Sequence, residues 1–450
     1  MRAQMTSAQS GLNIAKSSTW PNSGLGDGNG ELTSWNTASH KLMRVEGGTI
    51  RTTVYHSWAQ LEDKIPEWEV ILRENPGLSI FSTPEWLGSW WKAFGSDKQM
   101  LALAFSSESD GLLGLAPFYV DASRSPAFAR LKLLRLVGDG SEDSDNLELI
   151  VKRGHENACA VALVDWLKTA SDWNLCVLNT LPSDSVVATA LLRALKSSGW
   201  RFRVMTRPRL TVDLPDQWDE YLARLSSNQR SKVRNLRRRL EKAYDLRIFK
   251  CTSSENLSAC LETLFELHQK RWQMRSEPGT FAFTTRRRFY FQMARSFLDR
   301  KWLELWFLAL NGKPVAAQCG FRYRDTVYHL QEGFDPDYAV HRVGFVLRSC
   351  VLQQLISEGV RQYDFLAGEG NAKEHWGTRA GNYSDLHFAK PWTRGAAYLT
   401  AVAQVSATKA WLRQHLPLSA WNSLRALNRA AKTLGRQLHP NSEFVSGGLS

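Results

Sequence analysis

Cysteine is scarce in this sequence, and its spacing suggests neither cross-links nor a metal site. Six cysteines occur in 450 residues, none as Cys-x-x-Cys and none beside histidine at the spacing of zinc ligands. Most of them lie inside apolar runs, where cysteine behaves as a small core residue. This pattern argues against a disulfide framework, and we expect a cytoplasmic protein that binds no metal.

Long apolar runs are also missing. No stretch of about 18 apolar residues occurs, so no transmembrane helix is expected. The first residues form no continuous apolar segment, so we expect no secretory signal. Residues 1–45 are instead rich in Ser, Gly, Asn and Thr, which predicts a disordered segment, and Met43 is a possible alternative start.

Acidic residues are outnumbered. Lys and Arg total 57 against 44 Asp and Glu, a formal charge of +13. This excess favours anionic partners such as phosphates, coenzyme A, RNA or lipid head groups. Residues 393–450 read as a basic tail of two amphipathic helices separated by Pro417, for which peripheral membrane contact is a possibility.

Between these ends, helical and strand patterns alternate, which predicts an α/β fold. Two successive units, residues 46–213 and 214–392, show the same order of strand hairpin, strand, helix and strand. Asn311-Gly312 marks a hairpin turn in the second unit, and Thr83 before Pro84 marks a helix start in the first. A third strand is expected over residues 145–151. The repeated order predicts a tandem duplication, with mixed sheets flanked by helices.

Three segments of the chain resemble a known family: FSTPEWLGSWWKAFG, QWDEYLARLSSNQRSKVRNLRRRLEK and YDFLAGEGNAKEHWGT. They are similar to the bacterial cellulose biosynthesis CelD-like acetyltransferases of the GNAT superfamily, which are related to FemAB-type aminoacyl transferases. The resemblance covers most of residues 54–390. It implies two GNAT folds in tandem and the transfer of an acyl group from acetyl-CoA or another acyl-CoA.

GNAT enzymes hold the coenzyme pyrophosphate on backbone N–H groups at a helix start. The resemblance places that start after the strand TVYHLQEGF, at Arg342, Val343, Gly344 and Phe345. Only Gly344 stands where two small residues are usual in the family. A helix start without a ligand is the alternative for the same residues.

Two carboxylates are candidates for the catalytic base. Asp364 lies at the centre of the strand pattern YDFL, and Glu332 lies near the end of TVYHLQEGF. A structural role is the alternative for Asp364, and a surface ion pair with an arginine is the alternative for Glu332. Lys373 and Trp376 follow the Asp364 strand and are predicted to close over the substrate.

Arginines cluster on the helix predicted around residues 217–243. Leucine and valine recur on one face, and Arg230 and Arg234 lie on the other. These arginines either form a solvated surface or bind an anionic acceptor such as a phosphosugar, a nucleotide sugar or tRNA.

The sequence therefore predicts an acyl-CoA-dependent acyltransferase that acts on an amine or hydroxyl, with a link to polysaccharide or cell-envelope metabolism. Two alternatives stay open. One is aminoacyl transfer from charged tRNA, and the other is a non-catalytic protein that retains the GNAT fold.

Overall fold

The structure is a computed structural model, and it describes residues 40–45, 48–122, 131–141, 143–368 and 371–415. Most of the segment predicted to be disordered, and the second helix of the basic tail, lie outside these ranges. His40–Val45 nevertheless forms a strand within the segment predicted to be disordered. None of the helices in the described ranges is long and apolar enough to cross a membrane.

The first half of the chain contains strands and helices in alternation. Its strands are β1 (His40–Val45), β2 (Gly48–Tyr55), β3 (Gln99–Ser107), β4 (Gly111–Ala122), β5 (Lys132–Leu136), β6 (Ile150–Val151), β7 (Leu175–Pro182) and β8 (Arg201–Asp213). Its helices are α1 (Trp58–Glu62), α2 (Ile65–Glu74), α3 (Pro84–Phe94), α4 (Glu156–Thr169) and α5 (Val186–Ser197). As predicted, the Thr83 hydroxyl caps α3 by accepting a hydrogen bond from the Trp86 amide.

The second half follows after two connecting helices, α6 (Trp218–Arg224) and α7 (Ser227–Ala243). Its strands are β9 (Leu246–Lys250), β10 (Leu303–Leu310), β11 (Lys313–Tyr323), β12 (Thr326–Phe334), β13 (Gln362–Ala367) and β14 (Arg379–Ala389). Its helices are α8 (Leu257–Gln273), α9 (Thr284–Asp299), α10 (Val343–Ser357), α11 (Asn371–Glu374) and α12 (Arg394–His415). Asn311 and Gly312 both have positive φ and turn β10 into β11, as predicted.

One mixed sheet contains all these strands, in the order β1-β2-β3-β4-β5-β7-β14-β8-β13-β12-β11-β10-β9, with β6 beside β4. The pairs β5–β7 and β12–β13 are parallel. In each half, a run of antiparallel strands, β1 to β5 or β9 to β12, is followed by a crossover helix, α4 or α10, and then by the parallel strand. The tandem duplication predicted from element order is therefore visible in the sheet.

The last strand of each half pairs with the other half. β8 lies between β13 and β14, and β14 lies between β7 and β8. The two halves thus share a continuous sheet, and the domain limits given above stay a prediction.

The repeat is also seen in the residue numbers at which corresponding helices begin. Short 3-10 turns at Ile80–Ser82 and Thr280–Ala282 precede α3 and α9, which begin 200 residues apart. The two helices pack together, with the Trp86 ring of α3 at 5.2 Å from the Phe289 ring of α9. Edge-on aromatic contacts of this kind stabilise the junction beyond the area that they bury.

The strand predicted over residues 145–151 is wrong in extent. Only Ile150–Val151 is a strand within that range, and the strand that follows the β3–β4 hairpin is Lys132–Leu136. Residues 143–149 form no strand because their polar side chains form hydrogen bonds with distant elements. Asp145, for example, accepts a hydrogen bond from the Ala367 amide of β13.

Candidate functional site

The candidate site lies where β12 and β13 separate. The two strands pair only from Thr326 with Gln362 to Tyr328 with Asp364, although β12 continues to Phe334. A bulge in β12, opposite Cys319 and Gly320, bends it near this point. Where the strands diverge, their backbone and side chains form contacts with groups from neighbouring elements instead of with each other.

On the α10 side, the gap between the strands is occupied by a buried cluster around Arg348. Its guanidinium forms an ion pair with Glu332 and donates to His329 Nε2 at 3.1 Å. The same group lies 5.1 Å from the Phe365 ring and 5.7 Å from the Trp376 ring. Cation–π contacts and the ion pair therefore fix Arg348 between the strands.

Charge in this cluster decides the protonation of its members. Burial alone would raise the pKa of Glu332, but Arg348 and Arg271 lower it to about 2. Burial, reinforced by Arg348, lowers the pKa of His329 to about 3, so its ring is neutral and accepts at Nε2. A carboxylate with so low a pKa is a weak proton acceptor, and the contacts of Glu332 are those of an ion-pair partner.

Asp364 is fully buried on the opposite face of β13. Its Oδ2 accepts a hydrogen bond from Arg209 Nε at 3.0 Å, and its Oδ1 accepts one from the Leu366 amide at 2.8 Å. Leu366 has a φ of 61°, so the carboxylate holds the chain in a left-handed turn at the end of β13. These bonds support the structural alternative for Asp364.

Asp145, from the first half, reaches the same turn. Its Oδ2 accepts a hydrogen bond from the Ala367 amide at 2.8 Å. Burial raises the pKa of Asp145 to about 6, and this hydrogen bond opposes the rise. A carboxylate with a pKa near 6 is mostly ionised at neutral pH and can still take up a proton, as a general base requires. The sequence placed Asp145 in the strand predicted over residues 145–151 and did not identify it as a candidate base.

Two further polar groups border this turn. Lys373 Nζ donates to the carbonyls of Phe365, Ala367 and Gly368 at 3.0, 3.2 and 3.4 Å, and burial lowers the pKa of Lys373. The hydroxyl of Tyr383 is buried and has no hydrogen-bond partner among the described residues. Lys373 thus fixes the loop after β13, while Tyr383 carries a donor that no described group uses.

Trp376 is 1% exposed. Its ring lies 4.5 Å from the Phe345 ring, and its carbonyl accepts a hydrogen bond from the Tyr221 hydroxyl at 3.0 Å. It therefore supports the first turn of α10 and joins it to α6.

The start of α10 lies at the mouth of the gap. Arg342 has a φ of 52° and precedes the helix, and no acidic residue occurs in the first turn. A Cβ added at Gly344 would approach Phe334 Cδ1 at 3.9 Å, an ordinary contact, so this position has free space. The corresponding helix of the first half, α4, begins instead with Glu156, whose carboxylate would repel an anion.

The basic helix is α7, and it borders a cleft against α10. The cleft has a volume of about 310 Å³, and its walls include Arg234, Arg237 and Arg238 of α7 with Ser349 and Gln353 of α10. Arg237 is bonded to Glu241 and Gln353, whereas Arg234 and Arg238 are exposed.

Arg230 does not line this cleft. It donates to the carbonyls of Ala223 and Leu225, at 3.1 and 2.7 Å. The structure thus brings Arg234 to the cleft and gives Arg230 contacts that close the turn between α6 and α7.

Comparisons with known proteins agree with this architecture. Residues 227–376 match the family model of the acetyltransferase (GNAT) domain. No curated protein matches the sequence.

Among solved structures, FemX matches at 12% identity with a TM-score of 0.52, over 74% of this chain and 96% of that one. A tandem GNAT protein from the clavulanic acid biosynthesis pathway matches at 11% identity and a TM-score of 0.41, over 76% and 98%. L-PGS from Bacillus licheniformis matches at 11% identity and a TM-score of 0.43, over 76% and 95%. The repeat within the sheet and the domain match together give the protein a tandem GNAT-like fold, and the matched acetyltransferase domain lies in its second half.

Proposed function

We propose that the protein is an acyltransferase whose second half binds an acyl-CoA and transfers its acyl group to an amine or hydroxyl. The observation that carries the proposal is the start of α10 beside the gap between β12 and β13. This start is free of acidic residues and has space at Gly344, whereas the start of α4 carries Glu156. Backbone N–H groups at such a start attract the pyrophosphate of the donor, so Arg342, Val343, Gly344 and Phe345 form the proposed donor site.

Asp145 is the proposed base. The acceptor nitrogen or oxygen attacks the thioester carbon, and its proton passes to the Asp145 carboxylate. The C–S bond then breaks, and coenzyme A leaves as its thiolate. The unpaired Tyr383 hydroxyl is the proposed donor to the oxyanion of the intermediate. Asp145 suits this step better than Glu332, whose pKa is near 2, or Asp364, whose two oxygens already accept hydrogen bonds.

The cleft between α7 and α10 supports an anionic acceptor or an anionic part of the donor. Ser349 and Gln353 lie about 9 to 15 Å along α10 from its start, at 1.5 Å per residue, so one extended substrate can reach both places. Arg234 and Arg238 supply the charge. The link to polysaccharide metabolism rests on the CelD-like resemblance alone.

A second candidate is aminoacyl transfer from charged tRNA. Two observations favour it: Arg348 already occupies much of the gap in which a thioester arm would lie, and three arginines line the neighbouring cleft. The tRNA backbone would bind such a cleft with a strong dependence on salt.

Calorimetric titration with acetyl-CoA distinguishes the candidates. The proposal expects binding by the wild type and its loss in Gly344→Asp, which places a carboxylate at a helix start where a Cβ has space. Val186→Asp adds the same charge at the exposed start of α5 and serves as the control. Release of free coenzyme A in the presence of amines should fall about 10²- to 10⁴-fold in Asp145→Asn.

Absence of acetyl-CoA binding, together with salt-sensitive tRNA binding that Arg234→Glu weakens, would replace the first candidate by the second. Arg153→Glu, at an exposed arginine of the first half, is the matched control for that variant. Binding of neither ligand would leave the non-catalytic alternative.

A further inference from the structure

A second cleft lies away from the proposed transfer site, at the junction of β9 and α8. It has a volume of about 270 Å³, and the side chains of Cys251 and Cys260 both line it. Three of its other lining residues, Thr252, Asn256 and Ala259, are exposed, so the cleft opens to solvent. Cys260 is half-buried and Cys251 is 3% exposed, and both border this opening.

The two cysteines are held next to each other by separate elements. The Cys251 amide donates to the Leu305 carbonyl at 2.9 Å, which fixes it to β10. The Cys260 amide donates to the Asn256 carbonyl at 2.9 Å within the first turn of α8. Both cysteines line the same cleft, and each thiol shifts the pKa of the other by hydrogen bonding, so the two side chains are neighbours that a small rotation could join as a disulfide.

A hydrogen bond favours the thiolate form of Cys251. The hydrogen bond from Cys260 lowers the pKa of Cys251 to about 7, although burial opposes it. The same hydrogen bond, together with burial, raises the pKa of Cys260, so Cys251 carries the thiolate and Cys260 stays the thiol that donates to it.

The other four cysteines differ. Cys159, Cys176 and Cys319 are at most 1% exposed, and burial raises the pKa of each thiol. Burial also raises the pKa of Cys350. Thiols in such surroundings react slowly, so they provide internal controls.

We propose that Cys251 and Cys260 form a redox-sensitive dithiol that a hydroperoxide converts into an intramolecular disulfide. One thiolate attacks the peroxide oxygen, the O–O bond breaks, and a sulfenic acid and an alcohol or water are produced. The other thiol then attacks the sulfenic sulfur, the S–S bond forms and water leaves. The protein loses two electrons and two hydrogen atoms, which the hydroperoxide accepts, and a thiol reductant reverses the change.

The disulfide would tie the end of β9 to the first turn of α8. The same helix carries Arg271, which forms an ion pair with Glu332 of β12 at 2.9 Å. Helix α8 therefore links the Cys251–Cys260 pair at its start to β12, the strand that borders the proposed transfer site, through Arg271 near its end.

The test is thiol titration of the full chain in denaturant, before and after treatment of the folded protein with hydrogen peroxide. The wild type should fall from six free thiols to four, and a non-reduced digest should contain one peptide pair joined through Cys251 and Cys260. Cys260→Ser should yield no joined peptide pair and should lose at most the Cys251 thiol, because a sulfenic acid at Cys251 then has no partner thiol. Cys159→Ser should lose two of its five and yield the same joined peptides.

Two results would overturn the proposal. One is six remaining thiols at a peroxide dose that oxidises a free dithiol in the same buffer. The other is peroxide oxidation that joins a different pair, or that stops at sulfinic acid on a single cysteine. The wild-type digest decides the question even if a variant does not fold.

Discussion

Replacing Asp145 by asparagine should stabilise the fold while it removes the proposed base. The pKa of Asp145 is about 6 in the folded protein, against 3.8 for a free aspartate. At pH 8 the ionised carboxylate then costs the folded state at most ~3 kcal/mol, at 1.36 kcal/mol for each pH unit between the two values. Because Asp145 is partly exposed, we expect a gain of about 1–3 kcal/mol in Asp145→Asn.

The sign of the pH dependence follows from the raised pKa. Above pH 6 the folded state carries the full cost of the charge. As the pH falls through 6 towards 3.8, the folded carboxyl takes up its proton first and the cost disappears. The stabilising effect of Asp145→Asn should thus be about half as large at pH 5 as at pH 8.

Urea denaturation at pH 8 and pH 5 measures both quantities. Asparagine retains an oxygen that can accept the hydrogen bond from Ala367, so the comparison isolates the charge. Asp364→Asn is the matched control. It should destabilise by about 3–5 kcal/mol because Arg209 would lose its buried partner. An Asp145→Asn protein that is no more stable than the wild type at pH 8 would refute the reasoning.

Two further predictions concern the neighbourhood of the site. The pKa of Glu332 is about 2 rather than 4.5, so above pH 4.5 its ionised carboxylate contributes about 3 kcal/mol to the free energy of unfolding. This contribution is lost as the pH falls towards 2. When it is measured by urea denaturation between pH 7 and pH 3, the free energy of unfolding should therefore fall less steeply in Glu332→Gln than in the wild type. An equal fall in both proteins would contradict the ion pair. Gly333→Ala should cost about 1–3 kcal/mol, since a Cβ would lie 2.2 Å from the His268 nitrogen. Gly344→Ala, at a position where a Cβ has space, should unfold at the wild-type urea concentration or a higher one. A loss of stability in Gly344→Ala as large as that in Gly333→Ala would contradict the packing of α8 on β12.

Much of the fold was readable because its signals are local. Asn311-Gly312 and Thr83-Pro84 act through the backbone preferences of adjacent residues, and the structure confirms both. The repeated order of elements likewise predicted the duplication. The exchange of β8 and β14 between the halves carries no such signal because strand partners depend on distant contacts.

The site was less predictable for the same reason. Asp145 and Asp364 are 219 positions apart, yet they meet at the turn that ends β13. Asp145 fell within the strand predicted over residues 145–151, and only the fold shows that its side chain reaches into the second half. The sequence could identify Glu332 as a carboxylate but could not reveal that Arg271 and Arg348 both pair with it.

A crystal structure of the protein soaked with coenzyme A tests the central claim most directly. The account predicts pyrophosphate density on the backbone amides at the start of α10, around Val343 and Gly344, with the thiol directed towards the gap between β12 and β13. Density at the start of α4, or an empty α10 start at a coenzyme concentration that saturates binding in solution, would contradict it.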